Sequence, residues 1–195
     1  MSNEPEPRSF AVLDRDRAVG ALISRLMKHM DSDERWRLME PSLHFDDEDE
    51  YPEKYATPEL KRAANEADGG SPEDDFLQMH VMYQLQHEVE SMTNDGLIRE
   101  LERVSIFVDT INGERPDIHP CICCNYETIP ERGLSRRCPV CAWVDEHPER
   151  AEHHSENKVS LAEAQEHFNR HGVCEPRLAS APRPNATSLY KRASE

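Results

Sequence analysis

Apolar side chains recur at helical spacing in five stretches of the chain and fade elsewhere. Val19, Leu22, Ile23, Leu26 and Met30 fall on one face of a helix predicted over Asp14 to Met30. Asp31 followed by Glu34 predicts the cap of a second, short helix carrying Trp36, Leu38 and Met39, with Pro41 ending it. Ser71-Pro72-Glu73-Asp74 reads as a third helix start. Beyond it Leu77, Val81, Leu85, Val89 and Met92 make a stripe that Phe76, Met79 and Tyr83 broaden. Asn94-Asp95-Gly96 is read as an interruption, followed by a helix containing Leu97, Ile98, Leu101 and Val104 and a strand over Ile106 to Ile111. Ser160-Leu161-Ala162-Glu163 supplies a capping box, Leu161, Ala164 and Phe168 a buried side, and Gly172 a stop for one more helix.

Between these stretches the pattern changes kind. Residues 46–75 hold 12 acidic and three basic groups, including Asp46-Asp47-Glu48-Asp49-Glu50, and read as a solvated loop or weakly helical linker, with the loop of the helical region placed at 41–71. After Pro176 no period persists, so 176–195 is expected to be a flexible tail, with Leu178 or Tyr190 as its candidates for local docking. The fold class that follows is α+β: an acidic, mainly helical region over 1–118, a small cysteine-rich module with a helix over 119–175, and the tail.

Five of the six cysteines lie within Cys121 to Cys141. Cys121-Ile122-Cys123-Cys124 and Cys138-Pro139-Val140-Cys141 form two C-x-x-C pairs with 13 residues between them, the spacing of a structural zinc site. A tight turn aims the first and fourth sulfur of each pair the same way, so Cys121, Cys124, Cys138 and Cys141 are the expected ligands. Asn125 suits the positive backbone angle of such a turn. Strand, turn and returning strand between the pairs would make a zinc-ribbon-like module, with Trp143 and Phe168 packed beside it. Four sulfurs close the coordination sphere, which favours scaffolding over zinc-water chemistry. Cys123 is expected to be a free thiol facing the core or a fifth sulfur beside the cluster. Glu163, His167 and His171 share a helix face and are a weaker candidate for a second metal.

The blocks Cys121-Ile122-Cys123-Cys124-Asn125-Tyr126, Cys138-Pro139-Val140-Cys141-Ala142-Trp143 and Asn157-Lys158-Val159-Ser160-Leu161, leading to Glu163, Ala164, Phe168 and Gly172, resemble the bacterial cysteine-rich CPCC family of small zinc-binding proteins. The chain has Ile122 where that family usually has Pro and Asn125 where it has Gly. The resemblance implies a zinc module and, for some members, an association with toxin and immunity genes.

Charge sets the remaining expectations. The chain carries 23 Lys and Arg against 39 Asp and Glu, a net charge of −16, which repels a phosphate backbone and attracts a basic protein. There is no apolar run of membrane-spanning length, and paired thiols suit a reducing, cytoplasmic setting. The expected function is a non-enzymatic zinc-stabilised protein-interaction module, in its most specific form an immunity protein neutralising a basic bacterial toxin. A nucleic-acid-binding ribbon using Arg132, Arg136, Arg137 and exposed Tyr126 or Trp143 is the alternative, and an enzyme with an unrecognised site the second.

Overall fold

A computed structural model describes residues 11–39, 75–146 and 156–194. The acidic run, the 41–71 linker and the Ser71–Asp74 cap lie outside the described residues. The class is α+β: the described residues form five α-helices, six short strands and two 3₁₀ turns. After strand β1 (Val12–Asp14) comes α1 (Arg15–His29), which buries Ala18, Val19, Leu22 and Leu26 as its period predicts. In α2 (Ser32–Met39) the Glu34 N–H donates to Asp31 Oδ1 at 2.9 Å, the expected cap, and Trp36 packs half-buried on the core. Helix α3 (Asp75–Glu90) buries Val81, Leu85 and Val89, one face at i, i+4 spacing that Met92 continues past its end. Its last carbonyls would be orphans. Buried Arg15 satisfies the last of them, donating to Glu90 O at 2.8 Å and, just past the helix, to Met92 O at 2.7 Å.

Asn94-Asp95-Gly96 proves to be the first turn of α4 (Asn94–Arg103), a correction to its reading as a break. The Thr93 hydroxyl caps it by accepting from the Gly96 N–H at 2.9 Å. Glycine is there because the C-terminal segment crosses the helix at this point: a Cβ on Gly96 would lie 2.3 Å from Leu189 O. The strand expected over 106–111 is also shorter. Strand β2 (Thr110–Asn112) exists where β1 supplies a parallel partner, Leu13 opposite Ile111, and among the described residues no strand lies beside 106–108 to complete a ladder.

The cysteine module contains β3 (His119–Pro120), β4 (Glu127–Ile129), β5 (Leu134–Arg137) and β6 (Val144–Glu146). The strands between the cysteine pairs were expected to face each other. Instead β4 pairs with β3 and β5 with β6, both antiparallel, so each C-x-x-C turn is the tip of its own hairpin. Helix α5 (Leu161–His171) has the full capping box, with the Glu163 N–H donating to Ser160 Oγ and Glu163 returning to the Ser160 N–H, and ends at Gly172 with φ 74°. Ala164 is buried and Phe168 half-buried, but Leu161 is exposed, against expectation, since it sits at the open first turn.

The largest difference is the C-terminus. Expected to be a flexible tail, residues 176–194 instead lace the molecule together, with Arg183, Ala186, Leu189 and Tyr190 buried. The Arg183 N–H donates to Pro139 O at 2.8 Å, the Thr93 N–H to Leu189 O at 2.9 Å, the Glu127 N–H to Lys191 O at 2.8 Å and the Ala193 N–H to Asn125 O at 2.9 Å. The segment has no period because it touches a different element at each anchor rather than one face.

Arg183 also closes a buried ion chain. Arg37 of α2 bonds Glu88 of α3 at 2.8 Å, Glu88 bonds Arg183 at 3.0 Å, Arg183 bonds Glu100 of α4 at 2.9 Å, and Glu100 bonds Arg103 at 3.1 Å. Burial opposes the Glu88 charge, but Arg37 and Arg183 outweigh it and hold the carboxyl below its usual range. One apolar cluster runs from Leu22 and Leu85 through Leu97 and Leu189 to Cys138 and Trp143, so helices and cysteine module share a core.

Candidate metal centre

Each C-x-x-C turn folds the same way. In the first, the Asn125 N–H donates to Cys121 O at 2.8 Å and the Cys121 N–H to Tyr126 O at 2.7 Å. In the second, the Ala142 N–H donates to Cys138 O at 2.9 Å and the Cys138 N–H to Trp143 O at 2.7 Å. The residue four beyond the leading cysteine is left-handed in both, Asn125 at φ 61° and Ala142 at φ 67°. Asn tolerates that angle; Ala, for which it costs about 1–2 kcal/mol, is held there by the closed turn. Sequence spacing pointed to Asn125 and gave no sign of Ala142.

The turns bring all four predicted sulfurs together. The Sγ atoms of Cys121, Cys124, Cys138 and Cys141 lie within 4.8 Å of one another, and the four residues are no more than 2% exposed. Across the two hairpins, Cys121 to Cys141 and Cys124 to Cys138 both measure 3.7 Å. Disulfide sulfurs would sit about 2.05 Å apart. A tetrahedron of thiolates at the zinc–sulfur bond length of about 2.3 Å has edges of about 3.8 Å. The spacing therefore fits a tetrahedral ion and not a bridge, and all six cysteines are free thiols. Burial and the neighbouring sulfurs push the Cys141 thiol well above its ordinary value. A cation among the sulfurs reverses this, because it stabilises the thiolates it binds. Four buried cysteines in this arrangement can hold a metal ion.

The surroundings add contacts that spacing could not reveal. Thr128 Oγ1 sits 3.1 Å from Cys138 Sγ, a hydroxyl placed to donate to a ligand sulfur. The Cys174 N–H donates to Cys141 O at 2.7 Å, and burial pushes the Cys174 thiol up to about 12. Buried Cys123 lies against the cluster, where a hydrogen bond with Cys141 pulls its thiol below the ordinary value. The ring of Phe168 meets Tyr126 edge-on at 6.4 Å, and Trp143 is buried in the same cluster.

The other candidates stay apart from any centre. Glu163 is occupied by its capping box, and His167 Nδ1 lies 3.0 Å from Cys174 O, a bond in which the ring nitrogen donates. Among the described residues the four cysteines are the group whose ligand atoms converge. Arg136 is buried, and Arg132 bonds Asp145 of its own module at 2.6 Å. No helix among the described residues is long and apolar enough to cross a membrane.

The family model described as Cysteine-rich CPCC matches residues 119–188, which takes in the module, α5 and the lacing segment as far as Ser188. No curated protein and no solved structure matches the chain.

Proposed function

From the match of residues 119–188 to the cysteine-rich CPCC family model, we propose that this chain is a zinc-stabilised, non-enzymatic protein-interaction module. The observation that carries the metal reading is the pair of 3.7 Å sulfur separations inside a fully buried set of four cysteines. Zinc is preferred because an all-thiolate tetrahedral set with no open position is its usual structural site, and it would supply folding free energy. Elemental analysis of purified protein is expected to find about one zinc per chain. Serine at Cys121, Cys124, Cys138 or Cys141 should empty the site, whereas Cys123→Ser should keep it. Full zinc in the first four variants would sink the assignment.

The interaction reading rests on charge. Residues 1–120 carry 13 basic and 28 acidic groups, so a basic protein is the partner that their field favours, and a toxin neutralised by an immunity protein is its specific form. The setting would be a reducing one, such as the cytoplasm, in which free thiols persist. Native mass spectrometry after affinity capture should show a stoichiometric complex with a basic protein that dissociates as salt rises. Protein recovered alone at low salt would count against it. The nucleic-acid reading receives less support, since Arg136 and Trp143 are buried and Arg132 is paired internally.

A further inference from the structure

Four buried sulfurs that close a tetrahedron leave a bound ion no open way in or out. Cys121, Cys124, Cys138 and Cys141 converge in the core, so an incoming ligand meets a filled coordination sphere. Withdrawing one sulfur first would strip a charge of a donor in an apolar setting, which is costly. Exchange is easy only where a replacement donor already stands beside a ligand.

Cys123 stands in that position. It lies in the first C-x-x-C turn between Cys121 and Cys124, and the turn faces the second hairpin, since Cys121 Sγ is 3.7 Å from Cys141 Sγ. The Cys123 thiol hydrogen-bonds Cys141. The same turn reaches the surface: Ile122 at its tip is 47% exposed, and Cys123, at 7%, is the least buried of the six cysteines, whereas Cys141 is wholly enclosed. The Gln165 side chain of α5 fixes the tip by donating to Ile122 O at 2.9 Å. Cys174 also meets Cys141, but through its backbone N–H, 2.7 Å from Cys141 O, and it is 2% exposed. Cys123 therefore joins two properties that Cys174 lacks together: a thiol contact with a ligand sulfur and a place just under the surface.

Resting on the zinc reading above, we propose that Cys123 is an exchange ligand, which takes the place of Cys141 for a moment so that the centre trades its zinc with the surroundings. One sulfur arrives as the other leaves, and the number of sulfurs held never falls below four. The proton that Cys123 gives up on binding is the one that Cys141 takes on leaving, across the hydrogen bond that joins them, so total charge and oxidation state are unchanged. Entry and exit share this arrangement. Cys123 thus speeds both and leaves the equilibrium affinity alone. A thiol that only filled space would have the opposite signature, because shortening it would loosen the module and hasten metal loss.

Isotope exchange tests this on the full-length, zinc-loaded protein without unfolding it. Zinc of a second isotope is added in excess, and native mass spectrometry follows its replacement of the bound ion, while competition with a chromophoric chelator gives the equilibrium affinity. Cys123→Ser and Cys123→Ala are expected to exchange about tenfold more slowly than the parent, with zinc content unchanged and affinity within about twofold, since the barrier rises and the end states do not. Ile122→Ala, which trims the tip and keeps the sulfur, should exchange as fast as the parent or faster. Exchange in the Cys123 variants at the parent rate or above it, or slowing in Ile122→Ala equal to theirs, would overturn the exchange role while leaving the zinc centre standing. A parent protein that holds no zinc would overturn the centre and the exchange role together.

Discussion

Thr128 shows how one side chain outside the ligand set can tune a metal centre. Its hydroxyl, 3.1 Å from Cys138 Sγ, would stabilise the thiolate by donating to it, and the side chain is buried, so nothing from solvent can replace it. Thr128→Val keeps the shape and removes the donor. The expected outcome is unchanged metal stoichiometry with affinity about 10–100-fold lower, read by competition with a chromophoric chelator. Unaltered affinity would mean that the hydroxyl bonds elsewhere, with Tyr126 O as the alternative acceptor at 3.4 Å. The four ligand candidates were legible in the sequence, because C-x-x-C spacing follows from the geometry of a single turn. Thr128 was not, since its proximity depends on how β4 lies against the second hairpin.

At the scale of elements, Gly96 reverses an ordinary rule. Alanine in place of a helical glycine normally adds up to about 1 kcal/mol of stability. Here the new methyl would stand 2.3 Å from Leu189 O and 2.9 Å from Leu189 Cα, backbone atoms that cannot swing aside. Gly96→Ala should therefore destabilise by about 1–3 kcal/mol, as overpacking does, and free the lacing segment. Urea unfolding gives the first quantity, and faster proteolysis after Tyr190 or Arg183 reports the second; a variant more stable than the parent would contradict the close crossing. Helices α1 and α3 were readable from period, and α2 and α5 from period and caps, because both signals are local. The start of α4 was misread because the demand for glycine there comes from a segment about 90 residues away in the chain. The strand partners were equally out of reach, since pairing is a contact between distant stretches.

For the whole molecule, the shared core predicts that metal loss is not a local event. Stripping the metal with a strong chelator should reduce the helical circular dichroism signal together with the order of the cysteine module, in one transition. A helical signal that survives intact while the module melts would show that the two parts stand independently. The buried ion chain predicts a pH dependence of definite sign. Glu88 is held below its usual range in the folded state, so its contribution is present above the unfolded carboxylate value, about 4.3, and is lost as pH falls through the lower folded value. Glu88→Gln should destabilise the protein by about 3–5 kcal/mol at neutral pH, because it takes from Arg37 its carboxylate partner and leaves Arg183 with Glu100 as its remaining matching charge. The difference in unfolding free energy between parent and variant should shrink as pH drops below about 4. A difference constant down to pH 2 would place the stabilisation elsewhere.

What the chain determined by itself was whatever a few neighbouring residues settle between them: helix faces, the Asp31 and Ser160 caps, the Gly172 stop, two C-x-x-C turns and an acidic overall field. Tertiary structure alone decided the rest. It chose outward strand pairing, placed Thr128 and Cys174 at the sulfurs, drew Arg183 between Glu88 and Glu100, and turned an aperiodic terminus into the tie between helices and cysteine module. Aperiodic segments bury their side chains one at a time against different neighbours, so no repeat in the sequence records where they go, and their energetics appear once those neighbours have been assembled.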